Sequence, residues 1–199
     1  MAERLRAALA HPLPGRAAQD RMRPAFRSAE EAVPDARPSA VLAALVEGTA
    51  GPSIILIERT QGGPHGGQIA FPGGSEEKGD EGPVGTALRE AREEIGLEPG
   101  SVEVLGLLTP LTIAVSRFLV RPVLGLVTGR PTLAPNPAEV VSILELGLDE
   151  LLDPASKAER EILVRGEMRL VPCYLFGSVL VWGATAMILA ELESLLRQV

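Results

Sequence analysis

The chain is almost without cysteine. Cys173 stands alone among 199 residues, so no internal disulfide can staple the fold, and a lone thiol fits a reducing, cytoplasmic setting. Positive charge is also scarce: 19 Lys and Arg face 26 Asp and Glu, for a formal net charge of -7. That balance excludes a generic nucleic-acid or anionic-membrane surface, although local basic residues or a bridging cation can still hold an anion. Aromatic residues are only 3% of the chain, and Tyr174 and Trp182 read as core groups rather than stacking platforms. The opening MAERLRAALAHPLPGR is basic but lacks the continuous apolar stretch of a secretory signal. One charge-free run exists, VPCYLFGSVLVWGATAMILA at 171–190, long enough to span a bilayer. Pro172, Gly177 and Gly183 interrupt it and no basic cluster flanks it, so it reads as a buried strand leading into a buried helix.

Hydrophobic residues make up 46% and charged residues 23%, and the length fits one globular domain with its own core. Residues 1–38, rich in Arg, Ala and Pro, predict a helix over 1–10 followed by an extended arm. Residues 39–199 form the domain proper. Strands are expected at 39–47 and 53–58 around a Gly/Pro turn, a short strand at QIAF, and strands at 102–111, 117–127 and 140–148. LDELLD reads as helical, 168–176 and 178–182 as a hairpin, and 183–198 as an amphipathic helix carrying Leu189, Leu192, Leu195 and Leu196. Strands and helices mix without regular βαβ alternation, which predicts an α/β fold with a mixed sheet flanked by helices. No internal repeat is visible.

The informative stretch is TALREAREEIGL, residues 86–97. Pro83 suits a first helical position and Gly96 a left-handed cap, giving a helix over 83–95. At 100° per residue, Val84, Leu88, Ala91 and Ile95 form an apolar stripe. Glu90, Glu93 and Glu94 occupy a separate arc, expected to be one exposed face, with Arg89 one turn before Glu93 and able to orient it. A hard divalent cation would relieve the crowding of these carboxylates and bridge them to a substrate phosphate. Upstream lies FPGGSEEKGDEG, where Gly73 and Gly74 let the backbone turn and present its polar groups to a ligand.

The pattern PGG…E…REAREEIGL resembles the Nudix box. Arg89, Glu90, Ala91, Glu93, Glu94, Gly96 and Leu97 match its second half position for position, and Glu81 stands at the family's spacing before Arg89. The glycine expected six residues before Glu81 is Ser75, with Gly74 one position further back. That extension resembles the coenzyme A pyrophosphatase branch, where an acidic residue also stands at the position of Asp80, leaving Asp80 and Glu81 as alternatives for the metal-facing group. The preceding LIERT…HGGQIAFPGG resembles that branch's signature through Arg59, His65, Gly67, Gln68, Phe71, Pro72, Gly73 and Gly74. It departs at Gly62, Gly63 and Pro64, where the branch carries Leu-Arg and one residue more. AEVVSILEL and VWGATAMILAEL resemble the branch as well.

The resemblance implies a Nudix α/β/α sandwich and Mg²⁺- or Mn²⁺-dependent hydrolysis of a diphosphate. Glu90 and Glu94 would be metal ligands, with Glu93 sharing the site or activating water, Arg89 orienting it, and Glu139 a further ligand or base. Arg59, His65, Gln68, Gly73 and Gly74 would contact substrate, and Arg117 and Arg121 offer further phosphate donors. The branch implies coenzyme A and its thioesters as the small-molecule substrate, with adenosine 3′,5′-bisphosphate and 4′-phosphopantetheine as products. Hydrolysis of ADP-ribose or of a nucleoside triphosphate is the enzymatic alternative, and a nucleotide sensor without turnover the non-enzymatic one.

Overall fold

Two strands are apolar on both faces, and that decides the layering. The computed structural model describes residues 2–27, 33–48, 51–62 and 66–198. Helix α1 (Ala2–Leu9) and a short helix α2 (Gly15–Gln19) precede β1 (Arg37–Gly48) and β2 (Gly51–Arg59). Along β1, Ala40, Leu42, Ala44 and Val46 enter one core cluster, and Ala43 and Leu45 enter the other. Along β2, Ile55 and Ile57 face the first cluster, and Ile54 and Leu56 the second. A strand buried on both sides reads as a continuous apolar run, which is what AVLAALV and IILI are.

The next elements are β3 (Ile69–Ala70), β4 (Gly73–Ser75), α3 (Gly82–Ile95), β5 (Val102–Leu107), β6 (Leu111–Ile113), β7 (Phe118–Val127) and β8 (Val140–Gly147). They complete an eight-stranded sheet with the path β3-β2-β1-β7-β5; β4 pairs with β1, β6 with β7 and β8 with β2. The sheet is mixed: β1 runs parallel to β7 and antiparallel to β2 and β4. Helix α3 covers one face through Ala87, Ala91 and Ile95.

Helix α4 (Leu148–Leu152) leads to β9 (Lys157–Val164), β10 (Glu167–Phe176), β11 (Val179–Trp182) and the last helix, α5 (Gly183–Leu196). Strands β11, β10 and β9 form a second sheet of three strands. The expected hairpin at 168–182 is its β10–β11 part. Strand β9 is not legible in the sequence, because KAEREILV is charged and sits at the sheet edge, paired only to β10. Among the described residues no helix is long and apolar enough to cross a membrane, and the 171–190 run is the strand–helix passage expected for it.

Helix α5 departs from expectation. It is not amphipathic: every residue from Thr185 to Glu193 is buried, as is Leu195, so the buried set runs all round the helix and includes two glutamates. The arm departs too, because 15–22 is helical rather than extended. Leu5, Ala8 and Met22 join the core cluster around α5, and polar bonds hold the segment there. Gln19 Nε2 donates to Glu191 Oε2 at 2.8 Å and to the Thr109 carbonyl at 2.9 Å. Glu191 also accepts from Thr109 N at 3.1 Å and from Thr109 Oγ1 at 2.6 Å. One buried carboxylate thus ties together α2, the β5–β6 connection and α5.

Glu191→Ala removes the acceptor of three donors in a site closed to water, so it should cost about 3 kcal/mol. Urea denaturation should show a lower midpoint at unchanged slope; a loss below about 1 kcal/mol would mean that the donors find other partners.

Candidate active site

Helix α3 ends on Gly96, whose φ of 69° is the left-handed cap conformation. The helix approaches the sheet closely because Ala87 and Ala91 are small. Glu94 lies seven residues after Ala87, only about 20° from it around the helix axis. It therefore points into the sheet. Glu94 is 1% exposed, which corrects the expectation of one exposed acidic face: the Glu93 side chain is 55% exposed and that of Glu90 only 13%. The signal for this is Ala87, which widens the apolar stripe towards Glu94.

Two donors reach Glu94. Gly73 N–H donates to Oε2 at 2.9 Å and Arg59 Nη1 to Oε1 at 3.1 Å. Gly73 and Gly74 lie in β4, paired with Val41 and Ala40 of β1, not in a turn. Close approach requires glycine at both positions, and Gly73 also adopts a φ of 157° that side chains disfavour. A Cβ on Gly73 would sit 2.4 Å from the Ala40 carbonyl oxygen, and one on Gly74 2.3 Å from Glu90 Oε1.

Arg89 organises the upstream loop. Its Nε and Nη2 donate to Asp80 Oδ1 and Oδ2 at 3.0 and 3.1 Å, and Nη2 also to the Ser75 carbonyl at 2.9 Å. Nη1 donates to Glu90 at 3.0 Å and to Glu93 at 3.1 Å, the latter the pairing read from the sequence. Asp80 further accepts from Thr86 Oγ1 and Glu77 N–H, both at 2.9 Å. Asp80 is thus the anchor of Arg89, while Glu81 is exposed at the start of α3.

The loop before β8 brings in Glu139. Asn136 N–H donates to the Glu94 carbonyl at 2.8 Å and Ala134 N–H to the Ile95 carbonyl at 3.0 Å. Glu139 itself is exposed, and its carbonyl accepts from Thr60 N–H at 2.9 Å. Gln68 is half-buried beside β3. His65, with Gly63 and Pro64 before it, lies outside the described residues. Arg117 turns away from the carboxylates, its Nη2 donating to the Pro34 carbonyl at 2.9 Å. Arg121 lies in β7 opposite Ala40 of β1.

The charges respond to this packing. Burial pushes Glu94 up from 4.5 to about 7; the Gly73 N–H and Arg59 pull it down, while Glu90 and Glu139 raise it further. Burial likewise raises Glu90 against the pull of Arg89, with Glu93 and Glu139 adding to the rise. Asp80 moves the other way, held well below the usual carboxylate range chiefly by its hydrogen bond from Arg89.

Among the described residues no three His, Cys, Asp or Glu groups are gathered tightly enough to hold a metal as they stand. The donor chemistry nevertheless fits a divalent cation. Glu93 and Glu139 add to the proton affinity of Glu90, and Glu90 and Glu139 to that of Glu94. Hard carboxylate oxygens with excess negative charge suit Mg²⁺ or Mn²⁺.

A sheet sandwiched between α3 and α5, with a glycine strand and a glutamate helix meeting at buried carboxylates, defines a hydrolase of the Nudix class, and the comparisons agree. The sequence profile of the NUDIX domain matches residues 36–165. The chain belongs to the Nudix family. It is 39% identical over 142 residues to Nudix hydrolase NudL of Photorhabdus laumondii, covering 71% of this chain and 75% of that one. To NudL of Citrobacter koseri it is 37% identical over 157 residues, covering 78% and 81%. Among solved structures, the Nudix hydrolase RenU of M. smegmatis aligns with a TM-score of 0.57 at 15% identity, covering 82% of this chain and 88% of that one. A MutT/nudix family protein of Enterococcus faecalis aligns with a TM-score of 0.51 at 18% identity, over 80% and 61%. Both likenesses concern the fold. The protein is a pyrophosphatase of the Nudix type, and enzymes of this family generally use divalent cations such as Mg²⁺ or Mn²⁺.

The tight contact at Gly74 sets up one test. In Gly74→Ala the new Cβ meets the far end of the flexible Glu90 side chain, so the fold should survive while Glu90 is displaced. Turnover should fall by about 100-fold, as for a misplaced catalytic group, with a melting temperature near that of the parent; near-normal kcat/KM would remove Glu90 from the site. The raised pKa of Glu94 sets up another. Glu94 is raised to about 7 in the fold, so without metal the folded state holds more protons than the unfolded one, and Glu94 lowers stability as pH rises from about 4.5 to 7. Mg²⁺ requires the carboxylate form, so its gain in melting temperature should be small near pH 5.5 and grow through pH 7 to 8. A gain independent of pH would exclude Glu94 as a ligand.

Proposed function

We propose that this protein hydrolyses the diphosphate of coenzyme A and its thioesters, giving adenosine 3′,5′-bisphosphate and 4′-phosphopantetheine or its acyl form, in the cytoplasm. One observation carries the reading: the segment that resembles the coenzyme A branch is packed on the carboxylates of α3. Arg59 and Gly73 of that segment both donate to Glu94, and Gly74 abuts Glu90. A substrate read by this segment would have its diphosphate beside the glutamates.

Glu90 and Glu94 would hold the divalent cation, with Glu93 at their exposed side. When bound, the cation supplies charge neutralisation at the diphosphate and a lowered pKa for an attacking water. Arg89 bonds both Glu90 and Glu93 and so fixes the two carboxylates relative to one another. Glu93 and Glu139 are both exposed, and either would serve as the base that activates water, with Glu139 the alternative further ligand. Gln68 and His65 are the proposed polar contacts of the pantetheine or adenosine moiety. Gly62, where the branch carries a longer Leu-Arg loop, favours one second reading, a pyrophosphatase for ADP-ribose or nucleoside triphosphates.

Product analysis with Mg²⁺ across coenzyme A, ADP-ribose and nucleoside triphosphates separates these. Coenzyme A should be cleaved well ahead of the others, into two phosphate-bearing products. A site that binds the 3′-phosphate should also favour coenzyme A over its 3′-dephospho form by roughly tenfold to a hundredfold, the worth of a charge-assisted contact. Equal or faster turnover of ADP-ribose would overturn the coenzyme A assignment and leave the Nudix chemistry standing.

A further inference from the structure

The sequence offers Arg59 as a substrate contact, but its surroundings give it another task. We infer that Arg59 is a positioning residue that fixes the Glu94 carboxylate and couples it to Gly67 and Gln68, just before β3. The inference rests on reading Glu94 as a working carboxylate of the site.

The pairing of β2 with β8 shifts register between Glu58 and Arg59: Glu58 lies opposite Ser142 and Arg59 opposite Val140, so Val141 is the extra residue. A bulge of this kind bends the pair and re-aims side chains. Arg59 emerges from it with Nη1 on Glu94 Oε1 at 3.1 Å, while Gly73 N–H holds Oε2 at 2.9 Å. Two donors from separate segments grip the two oxygens and set the carboxylate plane. One lone pair on each oxygen remains for another partner. The Arg59 side chain is 31% exposed and that of Glu94 only 1%, so the guanidinium links a carboxylate deep in the fold to the wet side of the site.

The main chain of the same residue closes the loop. Arg59 N–H donates to the Gln68 carbonyl at 3.1 Å, and the Arg59 carbonyl accepts from Gly67 N–H at 3.1 Å. A shift of the loop at Gly67 and Gln68 is therefore felt by Arg59, and through its side chain by Glu94. A ligand that engages Gly67 or Gln68 thereby acts on the carboxylate as well. Outer-sphere partners of this type act on metal affinity and on the chemical step, whereas a direct substrate contact acts on substrate affinity.

The test uses the full-length protein and three variants, Arg59→Ala, Arg59→Gln and Arg59→Lys. Mg²⁺ binding is measured by calorimetry without substrate, and kinetics on whichever diphosphate the parent cleaves best. Arg59→Ala and Arg59→Gln should weaken Mg²⁺ about tenfold or more, as loss of an outer-sphere partner does. They should lower kcat in parallel and leave KM within about threefold. Arg59→Lys keeps the charge but not the planar fork, so it should recover part of the Mg²⁺ affinity. Unchanged Mg²⁺ affinity with a raised KM would make Arg59 a substrate contact and overturn the inference, as would tighter Mg²⁺ binding in Arg59→Ala, the mark of a competitor for Glu94. If Arg59→Ala melts below the assay temperature, Arg59→Gln, which keeps a longer polar side chain, carries the comparison. The calorimetry needs no substrate, so a parent enzyme inactive on coenzyme A would sink the proposed substrate without touching this result.

Discussion

A carboxylate closed away from water is the constraint on which the site depends. Glu94 is buried between α3 and β4, and a buried charge is costly unless donors meet it. Each neighbouring choice in the sequence serves that need. Small Ala87 and Ala91 let the helix come close to the sheet. Gly73 brings its N–H to Oε2 at a point where a side chain would collide with β1. The register shift where Val141 of β8 bulges opposite the end of β2 accompanies the aim of Arg59 at Oε1. The bidentate pair of Arg89 with Asp80 then ties the connection between β4 and α3, so the glycine strand cannot drift from the helix it supports.

Much of this is legible in the sequence, and the failures have a common physical cause. The helix at 83–95, its proline start and its glycine stop are readable because they depend on neighbours one or two turns away. The twin apolar strands are readable because a strand covered on both faces carries no polar alternation. The pairing of Arg89 with Glu93 follows from helical spacing alone. What escapes depends on partners far along the chain. The arm at 15–22 folds as it does because Gln19 finds Glu191, 172 positions away. Strand β9 carries no apolar surplus because it is an edge. Asp80 and Glu81 read in the sequence as alternatives for the metal-facing group; that Asp80 is instead taken up by Arg89 depends on a turn of the loop that spacing cannot supply. Gly73 and Gly74 stand out in the sequence for conformational freedom; Gly73 uses it, with a φ of 157°, while Gly74 serves only to make room for Glu90.

The burial of Glu94 also shows why counting charged residues on a helical wheel misleads. The wheel puts three glutamates in one arc and treats that arc as solvent-facing. The sheet decides which side of the arc is wet, and it leaves Glu93 outside, Glu90 at the rim and Glu94 inside. Three identical side chains within five residues thereby acquire three environments. Glu94 is held by Gly73 and Arg59, and Glu90 and Glu93 by Arg89, so the gradient is one of exposure and not of freedom.

The buried glutamates of α5 show the opposite arrangement in the same molecule. Burial alone would raise Glu193, but hydrogen bonds from Lys157 at 2.6 Å, Tyr174 at 2.9 Å and Arg197 at 3.0 Å carry its pKa below the usual value. Its charge is satisfied by the fold, and nothing remains for a ligand to supply. Glu94 is buried as deeply and also has a cation and an N–H, yet its pKa stays high because burial outweighs those two donors and Glu90 and Glu139 crowd it. The difference lies in the sign and number of the neighbours. A glutamate that the protein neutralises for itself holds the structure together, whereas a cluster left short of positive charge keeps a raised proton affinity. In the proposed site that same deficit would favour a divalent cation. The α3 and α5 carboxylates thus share residue type and low exposure, and differ in whether the donors that meet them outweigh the cost of burial.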